Sequence, residues 1–249
     1  IDSSDMQPER WIQIAEVIEE NYGKYDGFIV LHGTDTMAYT ASALSYMFQN
    51  LNKPVILTGS QLPIGEIRTD AKSNLITAAE IACGNVIVPE VCICFNNQLF
   101  RGNRAEKFTS SKFDAFQSIN YPPLAEAGTE ISYNHDAIRE VNNNALKVKT
   151  HFNNAVMIFK LFPGVNEKVL SAILKSGALK GLIIEAYGSG NAPKNEKILK
   201  QLMDAIKNQM VIVNVSQCSG GVVQMEKYEN GLALKRAGVV SGYDMTTEA

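Results

Sequence analysis

Short apolar runs at 27–32, 54–58, 91–96, 155–161, 181–186 and 210–215 punctuate this chain. Between most of them lie stretches with apolar residues at three- and four-residue steps. The run Gly27-Phe28-Ile29-Val30-Leu31-His32 carries no acid, lysine or arginine and is rich in branched and aromatic side chains, so it reads as a buried strand. Met37, Ala41, Leu44, Met47, Phe48 and Leu51 then recur as on one side of a helix, which predicts a helix over 35–51. Further helices are expected near 8–20, 69–82, 166–176 and 195–208. Strands that alternate with helices over short connections bury their apolar faces best as a parallel sheet with helices on both sides. The expected fold class is therefore α/β.

The stretch from about 130 to 154 breaks this rhythm. It is polar, contains Asn142-Asn143-Asn144 and has only short alternating runs, so it is expected to join two domains and to hold at most a small hairpin. A length of 249 residues accommodates two modest domains. The expected division is a larger N-terminal α/β domain over 1–130 with a mainly parallel sheet, a connection over 131–154, and a smaller C-terminal α/β domain over 155–249. The ends suggest a fragment: Ile1 is not a translation start, and Thr246-Thr247-Glu248-Ala249 reads as the opening of a helix that does not follow.

Bulk properties narrow the function by exclusion. A formal charge of -3 supplies no electrostatic reason for a nucleic-acid or anionic-membrane partner. No apolar stretch approaches the roughly 18 residues of a membrane span. The four cysteines fit no zinc-ligand spacing, so no metal site is expected. Cys92 and Cys94 lie two apart in a strand-like run and read as core, and Cys83 and Cys218 read as buried too. Buried unpaired thiols suit a reducing cytoplasm.

Polar clusters follow four of the strand-like runs: Thr34-Asp35, Gly59-Ser60-Gln61, Gly188-Ser189-Gly190-Asn191, and Ser216 to Gly221. Open α/β sheets bind ligands at such strand ends. An acid at a helix start is more often a cap, so spacing alone favours Asp35 as a cap. Gly188-x-Gly190 lacks the third glycine of a dinucleotide fingerprint and reads as a turn that lets a helix begin near Pro193. His32 reads as a hydrogen-bonded core residue, and Lys107 beside Glu106 as a solvated surface lysine.

Asp2-Ser3-Ser4-Asp5-Met6, His32-Gly33-Thr34-Asp35-Thr36-Met37, Thr58-Gly59-Ser60-Gln61, Arg101-Gly102-Asn103-Arg104, Gly188 to Pro193 and Asn214-Val215-Ser216-Gln217-Cys218 fall in the order seen in bacterial-type L-asparaginases. Over essentially its whole length the chain resembles that family, most closely its cytosolic type I branch. The resemblance implies hydrolysis of L-asparagine to L-aspartate and ammonia without metal or organic cofactor. Thr34 matches a catalytic threonine, Asp35 and Lys107 its carboxylate and lysine partners. Asp35 also matches the group that binds the substrate's α-ammonium, and Ser3 the serine that holds the α-carboxylate. Ser4 stands where many members carry a second binding residue, often glutamine. Asn191 matches a residue that reaches into a neighbouring subunit's site, implying a homodimer or homotetramer with active sites between subunits.

The residue types suit the chemistry. A threonine hydroxyl is a poor nucleophile until a base removes its proton. A free lysine titrates near ~10.4 and a base useful at neutral pH near ~7–8, a gap of ~4 kcal/mol that burial can supply. A carboxylate at Asp35 opposes that shift, so its expected role is to orient Lys107 and to pair with the substrate amine. The family's other catalytic threonine lies in a Thr-Gly-Gly-Thr loop after a first strand, and that motif does not occur in these 249 residues. The expected N-terminal domain thus lacks its first strand, and the expected C-terminal domain its last helices. Two rival readings are the asparaginase-like subunit of a tRNA-dependent amidotransferase, marked by an extra N-terminal domain, and an amino-acid-binding relative without the nucleophile.

Overall fold

Val91-Cys92-Ile93-Cys94-Phe95 has no polar residue to place against water, and it forms a strand in the middle of a six-stranded sheet with every residue buried. The computed structural model describes residues 2–249. Its contacts divide the chain into two units, 1–151 with 248–249, and 152–247. The first unit contains, in order, α1 (Pro8–Asn21), β1 (Phe28–Leu31), α2 (Met37–Met47), β2 (Phe48–Gln49), β3 (Val55–Thr58), α3 (Ala71–Ala82), β4 (Val91–Phe95), β5 (Gln98–Arg101), β6 (Glu106–Lys107), β7 (Phe116–Gln117), β8 (Ala125–Ala127), β9 (Ile131–Tyr133) and β10 (Lys147–Val148).

The sheet runs β1-β3-β4-β5-β8-β9. Its first three strands are parallel, with Leu31 opposite Thr58 and Leu57 opposite Ile93. From β4 onward the pairings are antiparallel. The reversal between β4 and β5 is made by Asn96 and Asn97, both at positive φ (46° and 64°), the conformation that suits a tight hairpin. Ile56, Cys92, Cys94 and Leu99 share one core cluster with Ala78 and Ile81 of α3. Burial pushes the Cys94 thiol up to about 12 and Cys92 well above its ordinary range, so both remain protonated and pack as small apolar groups.

Three expectations need correction here. Among the described residues the run at 27–32 forms a strand at one edge of the sheet, half-buried, with Leu31 69% exposed. Cys83 closes α3 and Cys218 lies in the loop just after the strand that ends at Ser216; both are exposed. The stretch 131–154 holds β9, which belongs to the main sheet, and β10, which pairs with β2.

The second unit contains β11 (Val156–Lys160), α4 (Glu167–Lys175), β12 (Gly181–Ala186), α5 (Glu196–Lys207), β13 (Val211–Ser216), α6 (Glu229–Arg236) and β14 (Val240–Ser241). All four strands are parallel and lie in sequence order. Right-handed crossovers between strands in that order put the three helices on one face. Leu170, Ile198, Leu202 and Leu234 of the helices pack there with Leu182, Ile184 and Ile212. Asn166 caps α4 by accepting from the Lys168 amide at 2.9 Å, and Asn195 caps α5 from Lys197 and Ile198 at 3.0 and 3.2 Å. The Asn195 cap is why α5 starts at Glu196, three residues beyond Pro193.

Candidate active site

β1 and β3 end side by side, and the chain leaving each has to turn sharply. At Gly59 an added Cβ would sit 2.1 Å from the His32 carbonyl oxygen, so only glycine allows the two exits to pass. At Gly33 an added Cβ would meet the Ser3 Oγ at 2.7 Å. Ser3 is thereby packed against the start of the Thr34 segment, buried, with its carbonyl accepting a 2.7 Å bond from the Thr36 hydroxyl.

Neither helix that follows is capped by its polar leader. Thr36 occupies the N-cap position of α2 but gives its hydroxyl to Ser3, and Asp35 lies outside the helix. Asp35 instead accepts a 2.5 Å bond from Lys107 Nζ, which also donates to Thr34 Oγ1 at 2.8 Å. Asp70 occupies the N-cap of α3 and likewise turns away: its carboxylate accepts from the amides of Gln61 and Leu62 and from Asn74 Nδ2. Asn74 in turn holds the Gly59 carbonyl and the Asn96 amide. The two strand ends are thus tied to a common polar framework rather than to their own helices. This replaces the capping role that spacing favoured for Asp35.

Lys107 is not the solvated lysine its neighbours suggested. It stands on β6, its side chain is 17% exposed, and its ammonium is shared between Thr34 and Asp35, whose own side chain is 66% exposed. Glu106, one residue earlier, faces elsewhere and accepts from Gln117 Nε2. The structure therefore brings Thr34, Asp35 and Lys107 together and sets Ser3 beside Gly33. Ser4 is exposed and bonds Asp2 through both amide and hydroxyl, and these bonds hold the Asp2 carboxyl below its ordinary range. Asn191 lies in the second unit, closing a turn with Tyr187 through two backbone bonds of 2.8 and 2.9 Å. Among the described residues no group of three or more His, Cys, Asp or Glu is placed to hold a metal ion.

Sequence reading passed over Asp70 and Asn74, and named Gln61 without a role. Gln61 Oε1 accepts from the Thr34 hydroxyl at 3.1 Å, and its Nε2 donates to the Lys112 carbonyl at 2.9 Å. The only available signal was that polar residues cluster after two parallel strands.

His32 anchors the same strand end from below, as the hydrogen-bonded reading anticipated. The Gly33 carbonyl, 2.7 Å from Nδ1, can only accept, so Nδ1 carries the proton. Nε2 then accepts from Thr40 Oγ1 at 2.8 Å, which itself accepts from Trp11 Nε1 at 2.9 Å. Burial pushes the His32 pKa below its ordinary value of 6.5, against the opposing effect of the Gly33 bond. The neutral imidazole therefore contributes stability that is fully present above the unfolded value and is lost as pH falls from there through the lower folded-state value. Thermal unfolding followed from pH 7.5 to 5 should show wild type losing more stability on acidification than His32→Gln. Parallel curves would remove His32 from that role.

Residues 1–139 match the family model described as "Asparaginase, N-terminal", and residues 155–249 match "Glutaminase/Asparaginase C-terminal domain". The chain is 47% identical to L-asparaginase 1 of Escherichia coli K12 over all of its own length and 73% of that protein. It is 44% identical to a 60 kDa lysophospholipase of Mus musculus, again over its whole length but only 44% of that relative. Among solved structures, L-asparaginase I of Vibrio cholerae superposes with a TM-score of 0.93 at 46% identity, covering all of this chain and 74% of the other.

Proposed function

The chain belongs to the asparaginase family, and on that footing we propose that it hydrolyses the side-chain amide of L-asparagine to L-aspartate and ammonia. Its similarity is to L-asparaginases numbered 1 or I, in keeping with the type I branch. The observation that carries the chemical reading is the contact of Thr34 with Lys107 and of Lys107 with Asp35 at the end of a parallel strand. The amidotransferase and binding-protein readings have less support, because the 47% similarity over the full chain is to a hydrolase.

In this reading Lys107 exchanges a proton with Thr34, and Asp35 fixes the lysine while keeping an exposed face for the substrate's α-ammonium. The hydroxyl of Thr34, or a water it aligns, adds to the amide carbon. Ammonia leaves with a proton delivered through the same group; where Thr34 has added, one water then hydrolyses the ester and restores the hydroxyl, and where water has added, the acid forms directly. Ser3 and Ser4 are assigned to the α-carboxylate, a role supported by the packing of Ser3 against Gly33. Family resemblance assigns a further nucleophile to a Thr-Gly-Gly-Thr loop, and assigns Asn191 to the site of a neighbouring subunit in a homodimer or homotetramer. A cytoplasmic location agrees with the free thiols of Cys83 and Cys218.

The direct test is ammonia release by the product of the complete reading frame, with L-asparagine and L-glutamine compared. L-Asparagine should be hydrolysed, and L-glutamine roughly 10–200-fold less efficiently, since one methylene in a pocket is worth ~1–3 kcal/mol. Binding of asparagine without ammonia release would instead favour the non-catalytic reading.

A further inference from the structure

β6 and β7 pair over two residues each, Glu106 with Gln117 and Lys107 with Phe116. A hairpin that short is not stable by itself, yet it carries Lys107 to within 2.8 Å of Thr34. Something outside the hairpin must hold its far end, and the 108–115 loop offers one such attachment: the Lys112 carbonyl bonded to Gln61 Nε2. The same amide group receives Thr34 on its other side. We propose that Gln61 is a positioning residue, a clip that joins Thr34 to the loop of the Lys107 hairpin and sets which way the Thr34 proton points.

The direction follows from donor and acceptor identities. The Lys112 carbonyl can only accept, so the amide nitrogen of Gln61 must face it and the amide oxygen must face Thr34. That oxygen can only accept, so the Thr34 hydroxyl donates to Gln61 and turns its lone pairs to Lys107, whose ammonium has only donors. The chain of bonds runs one way, from Lys107 through Thr34 and Gln61 to Lys112. In this resting arrangement the Thr34 proton is parked on Gln61, and passing it to Lys107 requires the hydroxyl to rotate. The 3.1 Å bond to Gln61 is longer than the usual ~2.5–3.0 Å of an O–H···O contact, so it aligns the hydroxyl yet yields easily. Gln61 also keeps its own place without its side chain, because its backbone amide is held by both oxygens of Asp70 at 3.0 Å. Gln61 also borders an open cleft of about 760 Å³ lined by Leu62, Arg68 and Asn96.

This inference rests on the roles proposed for Thr34 and Lys107, and two measurements separate its failure from theirs. Gln61→Met removes both bonds at similar volume; Gln61→Glu keeps an acceptor for Thr34 and removes the donor to Lys112. Amide exchange of Phe108, whose N–H bonds the Ala115 carbonyl at 2.8 Å, should quicken in both variants. With L-asparagine, kcat should fall about 10–100-fold in Gln61→Met with KM within about threefold, as expected when a reacting group is misplaced rather than lost. Gln61→Glu should share that fall. Unchanged Phe108 exchange, quicker exchange with normal kcat, or full kcat in Gln61→Glu would each overturn the clip. An inactive wild type would overturn the hydrolase reading and leave the exchange measurement to judge the clip on its own.

Discussion

A Lys107→Met enzyme is expected to release ammonia from L-asparagine about 10²–10⁴-fold more slowly than wild type, the usual contribution of a positioned acid–base group, while unfolding at nearly the same temperature. The unchanged stability follows from the exposures of the ion pair. Asp35 is 66% exposed, so its bond to Lys107 is worth at most the ~1 kcal/mol of a solvent-screened pair. Losing it should therefore leave stability nearly intact. Methionine keeps the unbranched stem that fills the space above β6 and deletes only the ammonium. Lys107→Arg should not rescue the rate, because a guanidinium stays charged and cannot accept the Thr34 proton. Thr34→Val, which preserves shape and deletes the hydroxyl, should fall to a similar level. The loss in a Thr34→Val, Lys107→Met double variant should be far smaller than the product of the two, since they act as one unit. Near-normal turnover in Lys107→Met would remove the lysine from the chemistry.

The sequence carried the architecture further than the site. Apolar runs and three-to-four spacing located α1 to α5 and six of the parallel strands, because burial imposes those periods directly; the short α6 and β14 went unread. Thr34 and Asp35 were visible as polar residues after such a strand. Lys107 was not visible by pattern: it lies 73 residues from Thr34 on a two-residue strand that has no period at all. Only the family resemblance singled it out. Asp70 and Thr36 were illegible for a different reason. Each occupies a helix N-cap, where its type ordinarily satisfies the helix's own amides, and each turns its side chain to another loop instead. That choice depends on which distant backbone groups need partners, and no local window holds that information. The exposure of Leu31, Cys83 and Cys218 has the same origin, since an edge strand or a helix end looks apolar whether or not anything covers it.

The largest effect on stability is expected at a place remote from Thr34. Glu90 is buried, its side chain 3% exposed, and it is held by both the Nε and, at 2.9 Å, the Nη2 of Arg101, with a further 2.9 Å bond from the Arg139 amide. Arg101 also donates from Nη2 to the Ala137 carbonyl at 2.9 Å and lays its guanidinium 4.1 Å from the Tyr121 ring centre. Arg101→Leu strips the carboxylate of its main partner while leaving it in the interior, and breaking a buried pair from one side costs about 3–5 kcal/mol. For a unit of roughly 150 residues that corresponds to a fall in Tm of roughly 6–20 °C. The exposed Arg139 guanidinium, 3.7 Å from Glu90, places the result toward the lower end. Replacing both members, Glu90→Leu with Arg101→Leu, removes the stranded charge and should recover most of the loss, so a double-mutant cycle should return a coupling of several kcal/mol. Additive losses would mean that Arg101 stabilises through Tyr121 and Ala137 instead. The pair also bears on the site: Arg101 ends β5, and the chain runs from it through Gly102–Arg104 directly to Lys107. Arg101→Leu should therefore lose asparagine hydrolysis at a lower temperature than wild type while matching its kcat in the cold, whereas Lys107→Met should be slow at every temperature. Measuring turnover against temperature for the two variants distinguishes a residue that holds the fold from one that belongs to the reaction.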